Sequence, residues 1–125
     1  MKNVITNLLF LIFANSLFAA EIILQNPEVN KEAPLFSVID SNGMQINLAD
    51  FRGQPVILEW TNHECPYVAK HYSENNMQAL QKMAQNKDIV WLSIISSTPG
   101  EQGHVDANTA NKLSKTRDAY PTHVL

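Results

Sequence analysis

The sequence predicts an α/β domain, and three observations carry that reading. V-I-L at 56–58 and I-V-W-L at 89–92 are runs of consecutive apolar residues. Between them the apolar residues recur at helical spacing, and ahead of them two short runs meet at an Asn-Gly pair. Strand, helix, strand in that order is a βαβ unit, which crosses over into a parallel sheet. The Asn-Gly pair marks a β-hairpin in front of it.

The chain begins with a segment that reads as targeting rather than fold. Lys2 supplies a positive start, and residues 4–13 (VITNLLFLIF) form a short apolar core. Ser16-Leu17-Phe18-Ala19-Ala20 offers small residues for cleavage after Ala19. Charge, apolar core and small-residue site describe a secretory signal over residues 1–19. A membrane anchor is the alternative, but the stretch is short, and Asn7 and Asn15 are costly in hydrocarbon. A lipoprotein is excluded because no cysteine lies near the cleavage site. The expectation is an exported protein, periplasmic or extracellular, with no stable membrane insertion after cleavage.

Residues 20–33 are polar, contain Asn26-Pro27 and read as a lead-in arm; the domain proper is 34–125. L-F-S-V-I at 35–39 and M-Q-I-N-L at 44–48 flank Asp40-Ser41-Asn42-Gly43 as the two strands of the hairpin. A tight connection follows at 49–53. Pro55 opens the V-I-L-E-W run, fitting a first strand position, and the consecutive apolar residues imply a central strand buried on both faces. Trp60, at its end, is then expected in the core. Val68, Tyr72, Met77, Leu80 and Ala84 give the helical face, with a register slip near Glu74-Asn75-Asn76. The run at 89–95 is the second central strand. Pro99, Gly100 and Gly103 place a loop at 96–105, Asp106 caps a helix reaching Arg117, and residues 121–125 begin a further strand.

With 45% hydrophobic and 17% charged residues, the chain can build one globular core. A net charge of −3 offers no basic footprint and excludes nucleic acid as a partner. There is one cysteine, so an internal disulfide is impossible. A leftover thiol in an exported protein requires an explanation.

Its context supplies one. In Glu59-Trp60-Thr61-Asn62-His63-Glu64-Cys65-Pro66, a strand delivers the chain to a polar loop, and Cys65 stands at the start of a helix. Pro66 suits the first helical position, where its missing N–H costs nothing. Free amides and the dipole of a helix start favour thiolate, the form that attacks peroxides and disulfides. Three readings stay open: a reactive thiol, an inert buried cysteine, and a copper or zinc site through His63 and Cys65. The metal reading has two ligands where a defined site uses three or four.

The pattern W-T-x-x-x-C-P after a strand resembles the way thioredoxin-like proteins present their active cysteine. A-P-L-F-S-V-I-D-S-N-G followed by L-A-D-F-R-G-Q-P-V-I-L-E-W is similar to the redoxin branch, which holds the peroxiredoxin-like alkyl hydroperoxide reductase/thiol-specific antioxidant domains. The resemblance runs from about Ala33 to Leu125. It implies a thioredoxin-like fold and an antioxidant oxidoreductase with Cys65 as the attacking cysteine. Thr61 is implied as the hydroxyl that orients sulfur or peroxide, although the family places its threonine three residues before the cysteine and the gap here is four. Pro66 matches the family proline. Val68 stands where dithiol thioredoxins carry a second cysteine, so the implied chemistry uses one cysteine. The implied partners are a small peroxide and a protein or small thiol reductant, with no organic cofactor. Redoxin folds continue with two strands and a helix beyond the position of Leu125, and neither Arg52 nor Arg117 matches the arginine that peroxiredoxins use. The resemblance thus implies a domain incomplete at its C-terminus, and a non-catalytic thioredoxin-like domain is the remaining alternative.

Overall fold

A computed structural model describes residues 26–125. The secretory segment, its cleavage site and the first residues of the arm lie outside these described residues. Residues 26–33 run exposed along the surface, where Arg52 pairs with Glu32. Such an exposed ion pair contributes little stability.

The hairpin forms as expected but with shorter strands. β1 (Ser37–Ile39) runs antiparallel to β2 (Gln45–Asn47), with Val38 opposite Ile46. Asp40 builds the turn: its Oδ1 accepts from the amides of Asn42 and Met44, each at 2.9 Å. Gly43 sits at φ +82°, a region closed to most side chains. The chain leaves β2 through a 3₁₀ turn, Leu48–Phe51.

The main sheet is parallel, in the order β3 (Val56–Trp60), β4 (Val90–Ile94), β5 (His123–Val124). The run at 89–95 is central as expected, with Val90, Trp91, Leu92 and Ser93 all buried. The V-I-L-E-W run is not central. β3 bonds to β4 alone among the described residues. Pro55 O and Thr61 N bond to β4, so by the two-residue period Val56, Leu58 and Trp60 turn their backbone groups to an open edge. Leu58 is 38% and Trp60 62% exposed, which overturns the expectation of Trp60 in the core. Consecutive apolar residues record what the two faces prefer; they carry no information about a neighbour on each edge.

The helices differ from expectation in a second way. α1 (Pro66–Ser73) and α2 (Asn76–Gln85) are separated by Asn75 in the left-handed conformation, φ +58°, where the register slip was read. The inward residues are Tyr72, Gln78, Gln81 and Ala84, while Leu80 and Met83 face outward. Two glutamines occupy the buried face because the strand beneath them presents a carboxylate. Glu59 Oε1 accepts from Tyr72 Oη at 3.0 Å. Its Oε2 accepts from Trp91 Nε1 at 2.7 Å, Ser93 Oγ at 2.8 Å and Gln81 Nε2 at 3.4 Å. Burial and the nearby Glu59 charge push the Tyr72 hydroxyl up to about 12, so it holds its proton and donates.

α3 (Ala107–Thr116) starts as read, with Asp106 Oδ1 accepting from Thr109 N at 2.7 Å. The hairpin turn is clasped between α3 and β5. Asn111 Nδ2 donates to Ser41 O at 2.9 Å, Ser41 N donates to Val124 O at 2.8 Å, and His123 Nδ1 donates to Asp40 Oδ2 at 2.9 Å.

Candidate functional site

The site grows from the C-terminal end of β3. Thr61 N donates to Ile94 O at 2.9 Å, and this bond ends the ladder with β4. The chain then turns through Asn62-His63-Glu64, and Cys65 N closes the turn on Asn62 O at 3.1 Å. Cys65 is the N-cap of α1, with extended backbone (φ −72°, ψ 123°) and Pro66 in the first helical turn. Its carbonyl accepts from Ala69 N, the first α-helical bond. The predicted local geometry is therefore present: strand, polar turn, cysteine, proline, helix.

Most residues of the turn are held from outside. Asn62 Oδ1 accepts from Glu64 N at 2.9 Å, and its Nδ2 donates to Gln102 O at 3.3 Å. Glu64, which would oppose ionisation of a neighbouring thiol, commits its carboxylate to Gly103 N at 2.7 Å. His63 O accepts from Arg117 Nη2 at 3.2 Å, and that guanidinium lies 5.0 Å from the Tyr72 ring centroid. Gly103 permits the close approach of the 96–105 loop: it is buried, has φ +85°, and a Cβ there would overlap the Asn62 amide.

Cys65 is half-buried and free. Its sulfur accepts no hydrogen bond from the first turn of α1. Thr61 does not reach it by a hydrogen bond either: its Oγ1 is buried without a partner, and Thr61 lines a small cavity with His63, Tyr72, Ser93 and Arg117. Trp60 and Tyr67, on either side of the loop in sequence, are 62% and 78% exposed. Thr61, Cys65 and Pro66 thus fall on one turn, with the threonine hydroxyl in the cavity beside it. Among the described residues no three His, Cys, Asp or Glu side chains gather as a metal-ligand set, so His63 and Cys65 gain no third ligand. Nor is any described helix long and apolar enough to cross a membrane.

Three contributors escaped the sequence reading. Gly103 was counted only as a loop residue, Arg117 only as a helix end, and Glu59 as part of an apolar strand. Glu59 did leave a signal, being a lone charge in V-I-L-E-W. The Arg117 and Gly103 contacts span 54 and 39 residues of sequence and left none.

A parallel α/β sheet carrying a cysteine at the start of the helix after β3 defines a thioredoxin-like fold. Solved structures share it. A candidate protein disulfide isomerase from Bacteroides thetaiotaomicron aligns with TM-score 0.56 and 21% identity, over 78% of this chain and 58% of its own. A candidate thioredoxin from Neisseria meningitidis aligns with TM-score 0.54 and 18% identity, over 74% of this chain and 55% of its own. The chain therefore spans less than two thirds of either protein. No curated protein matches the sequence. The AhpC/TSA family model matches residues 29–122, and the chain belongs to that family.

Proposed function

We propose that this chain is an exported thiol redox protein of peroxiredoxin-like type, in which Cys65 is the sole nucleophile. One observation carries the reading: Cys65 caps the N-terminus of α1 on a turn anchored from β4, the 96–105 loop and α3. Family membership supports a redox role for that thiol.

In the proposed cycle the Cys65 thiolate attacks one oxygen of a peroxide R–O–O–H. An S–O bond forms as the O–O bond breaks, and the leaving alkoxide takes up a proton as ROH. Cys65 is oxidised to the sulfenic acid. A thiol R′–SH then condenses with it, forming a mixed disulfide and releasing water, and a second R′–SH restores Cys65 and leaves as R′–S–S–R′. With one cysteine in the chain, the reductant must be a separate thiol. Pro66 sets the helix start, and Thr61 supplies a hydroxyl beside the loop.

A non-catalytic thiol is favoured by one observation, the absence of a hydrogen bond from α1 amides to the sulfur. Trapping with a sulfenic-acid-specific dione at low peroxide separates the two readings. The redox reading expects a stoichiometric adduct that Cys65→Ser abolishes. Reaction with peroxide no faster than free cysteine overturns it. Export rests on the pattern of residues 1–19, and a mature N-terminus other than Ala20 would refute the proposed cleavage site.

A further inference from the structure

An open cleft of about 380 Å³ lies where the α1–α2 junction meets the end of α3. That size falls in the roughly 300–1,000 Å³ range of small-molecule sites. Tyr72, Ser73, Asn75, Gln78, Arg117 and Asp118 contribute to its wall. The cleft takes no part in the chemistry assigned to Cys65.

Gln78 is the informative residue. It is 6% exposed, and its amide orientation is fixed. Its Nε2 donates to two main-chain carbonyls, Tyr72 O at 2.8 Å and Arg117 O at 2.6 Å. Carbonyls only accept, so the NH₂ must face them and the oxygen must face elsewhere. That oxygen is buried with no partner. Buried polar groups are normally satisfied, so the wall is short of one donor.

Two opposite charges stand beside it. Arg117 and Asp118 are neighbours in sequence, both line the cleft, and neither forms an ion pair among the described residues. Arg117 uses one of its five N–H donors, on His63 O. The cleft thus presents an orphaned acceptor, a free carboxylate and a guanidinium with spare donors.

We propose that this cleft binds the α-amino-acid zwitterion, an ammonium and a carboxylate joined through one carbon. The ammonium donates to Gln78 Oε1 and the Asp118 carboxylate. The carboxylate takes paired N–H donors of Arg117. A phosphate leaves the Gln78 oxygen unsatisfied and meets Asp118 with like charge. A simple cation meets Arg117 with like charge.

The test is an NMR titration of the ¹⁵N-labelled full chain with L-alanine, which carries no thiol and so reports on the cleft independently of Cys65. The proposal expects saturable shifts of the Gln78 side-chain NH₂ and of the Ser73, Asn75 and Asp118 amides. It expects methylamine and acetate, the two halves of the ligand, each to bind far more weakly. Asp118→Asn should weaken L-alanine binding by about tenfold while keeping the fold, because asparagine tolerates the left-handed backbone at φ +50°. No saturable shift, acetate binding as tightly as L-alanine, or unchanged affinity in Asp118→Asn each overturns it.

Discussion

Replacing Asp40 by alanine tests how the hairpin is attached to the sheet. The Asp40 side chain is fully buried, and its three hydrogen bonds run to Asn42 N, Met44 N and His123 Nδ1. Removing it strips the turn of its internal acceptor and leaves His123 facing an emptied pocket. Breaking one partner out of a buried charged pair costs about 3–5 kcal/mol. Water can reach the exposed turn around Asn42 and recover part of this, so the expected loss is about 3 kcal/mol. At about 4–8 °C per kcal/mol for a domain of this size, the melting temperature should fall by about 12–24 °C. Burial alone would raise the Asp40 carboxyl. The hydrogen bonds from His123, Met44 and Asn42 outweigh burial and hold it below the usual carboxylate range. Its folded value is thus lower than its unfolded one, so its contribution is present above about pH 4 and fades as the solution is acidified through the folded value. Urea titrations followed by fluorescence at neutral and acidic pH measure both effects. A loss below about 1 kcal/mol at neutral pH, or an equal loss in acid, would refute the clasp.

Two further predictions follow from the site and its support. Gly103→Ala should destabilise the fold by about 1–3 kcal/mol, since it combines a strained backbone with overlap against Asn62, and it should change the alkylation rate of Cys65 by loosening the turn; an unchanged rate and melting temperature would show that the loop approach is dispensable. Tyr72, raised from 10.0 to about 12, adds stability that is fully present below pH 10 and disappears as pH climbs to about 12. That is about 3 kcal/mol, and Tyr72→Phe should flatten this alkaline limb of the unfolding profile.

Much of this molecule can be read before folding it. Asn42-Gly43 marks the hairpin turn, the 89–95 run marks the central strand, Asp106 marks the start of α3, and Asn75 falls where the helical register slips. Those features are local, and local chemistry leaves local traces. Cys65 and Pro66 belong to the same class, since a capping position followed by proline is a statement about one helical turn. What the sequence conceals is relational. Nothing in V-I-L-E-W says that β3 has a neighbour on one side only. Gln78 and Gln81 read as surface residues until Glu59 is placed beneath Gln81, and Leu80 and Met83 read as core for the same reason. Arg117 and Gly103 join the cysteine turn through contacts made by folding.

The interior beneath α2 has one last consequence. Oily packing is forgiving, because a leucine that slides by an ångström still finds contact. The bonds that seat this helix are directional, and Gln81 alone joins Glu59, the Tyr72 hydroxyl and the Tyr120 amide. A small rotation of α2 about its axis would break several of them together, so the helix has one azimuth rather than a range. Tyr72 belongs to that lattice and also to α1, seven residues along from the thiol. The cysteine's position over the sheet is thereby inherited from a set of angles two helical turns away.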